Sequence, residues 1–121
     1  MSTVIEDVEK FIVAVGQTVD HDNGTQAELY RKLILEEYTE LQEAFAANDD
    51  VEVADAIFDL CWVAIGYAMS RGWDMPAMWA EGAQSNLSKI DPETGVVKRR
   101  ADGKILKPDC FRPPDFSKFV S

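Results

Sequence analysis

From residue 51 to residue 69 the chain reads V-E-V-A-D-A-I-F-D-L-C-W-V-A-I-G-Y-A-M, and its only charges are Glu52, Asp55 and Asp59. At about 100° per residue these three acids share one sector of a helix about 60° wide, with apolar side chains around much of the rest. Such a helix is expected to be buried, and buried carboxylates are costly unless something pairs or coordinates them. Three more helical patterns flank it. Val8, Phe11, Ile12 and Val15 form an apolar stripe over residues 4–17. A polar loop, V-D-H-D-N-G, follows. Thr25 and Glu28 then have the spacing of a capping box, which predicts a second helix to about residue 47 with Leu29, Ile34, Tyr38, Leu41 and Phe45 facing inward. Asn48, Asp49 and Asp50 supply a turn into the apolar helix, and Arg71-Gly72 supplies its stop. Asp74 and Pro76 open a fourth helix, expected to reach about residue 90.

Beyond that point the periodicity changes. V-V-K-R-R-A-D-G-K-I-L-K predicts a small hairpin around Asp102-Gly103. Lys107-Pro108 and Arg112-Pro113-Pro114 predict an extended tail, lying against the bundle or a partner subunit. The expected architecture is all-α: one domain over residues 1–121, an antiparallel four-helix bundle type with a helical core (1–90) and a basic C-terminal extension (91–121) of hairpin and tail.

Composition narrows the functional classes. The chain has 121 residues and is 46% hydrophobic, enough for a small core that oligomerisation would help. Glu6, Asp7, Glu9 and Lys10 interrupt the first apolar stretch, which is therefore not read as a signal peptide. The three acids of the apolar helix argue against a membrane span. Cys61 and Cys110 make no CxxC; Cys61 is expected to be a packed thiol, and a reducing cytoplasm suits such cysteine usage. The net charge of −10 is uneven: residues 1–90 hold 17 acids against 5 Lys/Arg, and residues 91–121 hold 7 Lys/Arg against 5 acids. An acidic body speaks against nucleic-acid binding and suits cations, while the basic extension suits a phosphate-bearing ligand.

The candidate chemistry lies in the acids. The second helix carries Glu36, Glu37, Glu40 and Glu43. Glu37 borders the apolar stripe, Glu40 lies somewhat further round, and Glu36 and Glu43 point more nearly outward as a solvated face. Glu37 and Glu40 stand at i,i+3 and can reach one point in space. A short turn makes the second and third helices antiparallel neighbours, so this pair can face Glu52, Asp55 and Asp59. Five converging carboxylates cannot all stay ionised without a cation. All-oxygen ligation suits Mg²⁺, with Mn²⁺ as a substitute. A di-iron carboxylate bundle needs Glu-x-x-His on two helices, and the single histidine, His21, sits in a loop.

The ordered set Glu37-x-x-Glu40 and Glu52-x-x-Asp55 resembles the ExxE…ExxD signature of the all-α nucleoside triphosphate pyrophosphohydrolases, the superfamily of MazG-like proteins, dimeric dUTPases and phosphoribosyl-ATP pyrophosphohydrolase. E-E-Y-T-E-L-Q-E-A, A-D-A-I-F-D-L-C-W-V-A-I-G-Y-A and the Asn86-Leu87-Ser88-Lys89 end of the fourth helix are similar to the MazG-like core. D-P-E-T-G-V-V-K-R-R-A-D-G-K-I-L-K-P is similar to the extension of small members. Asp59 is an extra acid in this register. In an alternative alignment Asp59-Leu60 takes the family's final Asp-Leu and Ala56 stands where a glutamate is expected. Cys61-Trp62 replaces the Tyr-His favoured by phosphoribosyl-ATP pyrophosphohydrolases, which counts against a role in histidine biosynthesis.

The resemblance implies hydrolysis of a (d)NTP to the (d)NMP and pyrophosphate, with Mg²⁺ held by Glu37, Glu40, Glu52, Asp55 and Asp59. Glu37 or Glu40 orients the attacking water or takes its proton. Asn86 and Lys89, at i,i+3, are candidates for sugar and phosphate. Lys98, Arg99, Arg100, Lys104 and Lys107 form the basic cluster that can close over a triphosphate, and Gln17 is a candidate base contact. Trp62, Trp73 and Trp79 are expected in the core or an interface. A unit this small pairs in the family, so a homodimer or homotetramer is expected. The competing reading is a non-catalytic helical module that oligomerises or senses nucleotide.

Overall fold

The computed structural model describes residues 1–120. They form four α-helices: α1 (Val4–Ala14), α2 (Gly24–Ala46), α3 (Asp50–Ser70) and α4 (Met75–Leu87), with a short 3-10 turn at Ser117–Phe119. The chain divides into two compact units, Met1–Met75 and Pro76–Ser121. α1, α2 and α3 build the first.

Each helix of the first unit starts on a side-chain cap. Thr3 and Glu6 form a reciprocal capping box on α1. α2 opens two residues earlier than Thr25 suggests: Asn23 is its N-cap and accepts from the Gln26 amide, because the Asx side chain precedes a glycine that the helix tolerates in its first turn. Asp49 caps α3 in the same way through the Glu52 amide. Asn48, at φ 52°, makes the tight turn between the two helices. α1 ends at Ala14, short of residue 17, because Gly16 turns the chain at φ +80°.

α2 and α3 run antiparallel and pack along their length, and α1 lies against α3. Val8, Ile12, Tyr30, Val63, Ile65 and Met69 form the buried cluster, with Leu33, Ile34, Trp62 and Met75 packed around it. At the closed end Gln26 donates to the Thr18 carbonyl and to Ser70 Oγ, and Ser70 in turn donates to the Gly66 carbonyl. Arg71 pairs with Asp22 and donates to the Tyr67 hydroxyl. These bonds fasten the loop between α1 and α2 onto the C-terminal end of α3. Gly72, at φ +72°, passes so close to the His21 backbone that a Cβ there would meet it at 2.7 Å.

Burial departs from the helical wheels. Apart from Ala56, the enclosed residues of α3 lie in its C-terminal part. Its N-terminal half leaves Val51, Ile57 and Phe58 exposed, and Cys61 is exposed rather than packed. On α2, Leu29, Tyr38 and Phe45 are about half exposed, while Gln26, Ala27, Tyr30 and Ala44 are the buried positions; Phe11 of α1 and its C-cap Val15 are exposed beside buried Val8 and Ile12. Three helices can cover one face each, and this sequence has apolar side chains on two. α3 is also long and apolar enough to cross a membrane, a criterion that the core helix of a bundle meets as well.

The second unit is built on α4, which ends at Leu87 rather than near residue 90. The predicted hairpin is reduced to one antiparallel bridge, Arg99↔Ile105, closed by Gly103 at φ +87°; among the described residues no strand forms. The tail is fastened to α4 itself. Glu81, only 8% exposed, accepts from Arg112 at 2.6 Å and from the Asp115 amide at 3.0 Å, and Gln84 accepts from Arg112 at 3.0 Å. The Asp115 amide bond and the Arg112 guanidinium hold the Glu81 carboxyl below the usual carboxylate range.

Candidate functional site

The antiparallel register of α2 and α3 places the acids. Tyr30 packs on Gly66, where an added Cβ would be driven into the ring. Seven residues on from Tyr30 along α2 comes Glu37; seven residues back from Gly66 along α3 comes Asp59. Seven residues are two turns, so the same seam that joins Tyr30 to Gly66 brings Glu37 to Asp59. One turn further, Glu40 approaches Asp55. Past them, Glu40, Glu43, Asp49, Glu52 and Asp55 line a cleft of about 230 Å³ floored by Ala44 and Ala56. Small residues on both helices let the backbones approach and leave that space.

The electrostatics follow from the crowding. Glu37 is pushed up to about 7: burial is the largest cause, followed by the charge of Asp59, a hydrogen bond and charge from Glu40, and the charge of Asp55. Asp59 is raised too, by burial and by the charges of Asp55 and Glu40. Glu37 Oε2 is a buried oxygen with no hydrogen-bond partner. Among the described residues no ion pair involves Glu37, Glu40, Glu52, Asp55 or Asp59.

An orphaned acceptor, mutually raised carboxylates and no cationic partner make a donor set with a deficit of positive charge. It fits a hard divalent cation, which takes carboxylate oxygens and relieves that repulsion. Among the described residues no three His, Cys, Asp or Glu side chains are already gathered into an ion-holding group. The α2 and α3 acids are thus drawn to one seam with their oxygens still apart.

The sequence pattern overlooked two lining residues. Glu43, read as outward, lines the cleft, because the cleft extends past the seam toward the Asn48 turn. Asp49 joins it from the N-cap of α3. The short Asn-Asp-Asp turn held the signal for Asp49, since a cap at a helix start beside two acidic faces must border the space between them.

The other candidates are distributed as follows. Gln17 sits after α1 and lines a groove of about 790 Å³ with Thr25, Glu28, Leu29 and Lys32 at the start of α2; it accepts a 2.7 Å hydrogen bond from the Tyr30 hydroxyl. Asn86, Lys89, Lys98, Arg100 and Lys104 belong to the second unit. Lys89 donates to Asn86 at 2.9 Å, Lys98 pairs with Asp91 at 2.8 Å and Arg100 with Asp102 at 2.8 Å. Lys89, Lys98 and Lys107 border one cavity of about 440 Å³ in that unit. Trp62 is half-buried against Phe11 and Phe58, with ring centroids 5.6 Å apart in each case, whereas Trp79 is 65% exposed.

Residues 8–86 match the family model described as phosphoribosyl-ATP pyrophosphohydrolase, a span that contains both acidic helices and the Asn86 position. No curated protein matches the chain.

Proposed function

The chain belongs to the phosphoribosyl-ATP pyrophosphohydrolase family, hydrolases of phosphoanhydride bonds, and we propose that it is a divalent-metal-dependent nucleoside triphosphate pyrophosphohydrolase that converts a (d)NTP and water to the (d)NMP and pyrophosphate. The observation that carries the metal-dependent reading is the cation-free seam of Glu37, Glu40, Asp55 and Asp59, with one buried oxygen lacking any partner. A triphosphate and this seam repel each other unless divalent cations lie between them. Cys61-Trp62 in place of Tyr-His, following Asp59-Leu60, favours a nucleoside triphosphate over phosphoribosyl-ATP.

Glu37, Glu40, Glu52, Asp55 and Asp59 are the residues that would hold Mg²⁺, or Mn²⁺ in its place. Once bound, the ion neutralises phosphate oxygens and makes water a better nucleophile at neutral pH. Glu37 is the proposed proton acceptor on its position: it lies within the seam and keeps one buried oxygen without a hydrogen-bond partner. Glu40, one turn on, orients the water. The water oxygen forms a bond to the α-phosphorus and the bond to the β-phosphate bridging oxygen breaks. Glu37 takes the proton and pyrophosphate leaves. Gln17, in the same unit as the acids, is assigned to the base.

The same reading makes the protein a cytoplasmic homodimer or homotetramer. Its support is the set of exposed apolar side chains that the first unit leaves uncovered, Phe11, Val51, Ile57 and Phe58. The test of the activity is a panel of ribo- and deoxyribonucleoside triphosphates, together with phosphoribosyl-ATP, assayed for pyrophosphate with Mg²⁺ and with chelator. Metal-dependent pyrophosphate from a triphosphate supports the proposal. Turnover of phosphoribosyl-ATP alone would replace the substrate, and chelator-insensitive turnover would remove the metal.

A further inference from the structure

Tyr30 has no role in the proposed chemistry, yet its side chain is tightly held. It is 5% exposed, its ring fills the place that a side chain on Gly66 would need, and its hydroxyl is aimed out of the core at Gln17. Burial pushes the phenol up, so it stays a protonated donor across the physiological range. The hydroxyl donates to Gln17 Oε1 at 2.7 Å. Gln17 itself follows the end of α1, with its amide bonded to the Ile12 carbonyl at 3.0 Å. The following residue, Thr18, is locked from both sides by Gln26, whose Oε1 accepts from the Thr18 amide and whose Nε2 donates to the Thr18 carbonyl, each at 2.7 Å. Backbone and side chain of Gln17 are therefore both held before any ligand arrives.

We infer that Tyr30 is a positioning residue for Gln17, fixing the glutamine amide so that its NH₂ group faces the groove at the start of α2 and selects a nucleotide base by a carbonyl acceptor. This rests on the assignment of Gln17 to the base proposed above. With Oε1 taken by the phenol, the group left to the groove is a donor pair. A donor pair accepts a base with an exocyclic oxygen, such as uracil, thymine or guanine, and discriminates against adenine, which presents an amino group there. The groove also has the right position. Leu29, which lines it, is followed at helical spacing by Leu33, Glu37 and Glu40, so the groove and the two acids are carried by the same helix. Tyr30 stands two turns, about 10 Å, before Glu37, the order of length that a sugar spans between its base and the phosphate being cleaved.

The test compares Y30F, Q17A and the double variant Y30F/Q17A by steady-state pyrophosphate release over the nucleotide panel with Mg²⁺. Y30F keeps the ring that fills the core and removes only the hydroxyl. The expected result for Y30F is a KM raised about tenfold for the preferred oxo-base nucleotide, with kcat within about twofold, since the loss is of pre-organisation and not of the reacting groups. Q17A should do the same, and the double variant should be no worse than Q17A. A merely structural tyrosine would lower the active fraction, hence kcat, and spare base preference. If Y30F melts too early to assay, the side-chain amide NMR signals of Gln17 are compared below its melting temperature: they should shift to exposed, averaged positions on loss of the hydroxyl. Q17A with altered KM beside Y30F with wild-type KM overturns the positioning role and leaves Gln17 as a base contact. Q17A with wild-type KM overturns the assignment of Gln17 to the base and the positioning role with it. Preference for adenine nucleotides overturns the donor orientation.

Discussion

Glu37 concentrates the account at the scale of one residue. Its carboxyl, raised to about 7 against an ordinary 4.5, binds a proton in the folded chain that the unfolded chain has already lost. Between those values the folded state holds more protons, so stability falls as pH rises. Metal-free protein is therefore predicted to melt at a higher temperature near pH 5 than near pH 8, read by calorimetry in chelator. Added Mg²⁺ should flatten that slope by supplying the missing positive charge. A melting temperature that climbs over this window would contradict the crowded seam. Glu37→Gln separates stability from chemistry: the metal-free variant should melt at or above wild type, because a neutral amide relieves the repulsion from Asp59. Its kcat should fall by about 10²- to 10⁴-fold with loss of the proton acceptor, as measured by pyrophosphate release.

At the scale of the elements, the α2–α3 seam holds the site together. Gly66→Ala puts a methyl group against the Tyr30 ring and is predicted to cost about 1–3 kcal/mol in chemical denaturation. Activity should fall with it, since the same seam sets Glu37 against Asp59. Much of this seam was legible in the sequence. The i,i+3 spacing of Glu37 and Glu40, the short Asn48–Asp50 turn and the clustered acids of α3 together fix an antiparallel pair with its acids facing. The capping was less legible. Asn23, Asp49 and the Thr3–Glu6 box cap the helices, and Thr25–Glu28 does not, because several Asx, Ser and Thr residues compete at each start and only tertiary packing chooses among them. Inward and outward faces were also misread at Leu29, Tyr38 and Phe45. An apolar stripe shows that a face is to be covered, without showing which chain covers it.

At the scale of the whole molecule, the question is what covers Val51, Ile57, Phe58 and Phe11. The proposed oligomer answers it with a second copy. Phe58→Asp is predicted to shift sedimentation toward the monomer and to lower the melting temperature at micromolar protein, because a charge would be placed among the uncovered apolar side chains. Unchanged sedimentation would mean that these side chains stay open to solvent. The sequence could place the basic residues of the second unit no further than on one extension. There they engage local acids: Lys98 with Asp91, Arg100 with Asp102, Arg112 with Glu81. Spacing alone does not reveal such neutralisation, which depends on turns that bring residues 91 and 98 together. The central claim is that the carboxylates of α2 and α3 gather divalent cations. Titration of the protein with Mn²⁺, followed calorimetrically for the wild type and for an Asp55→Asn/Asp59→Asn variant that retains its helical circular dichroism, tests it most directly. The account predicts saturable binding that releases protons near pH 6.5 and disappears in the variant; equal binding by both proteins would contradict it.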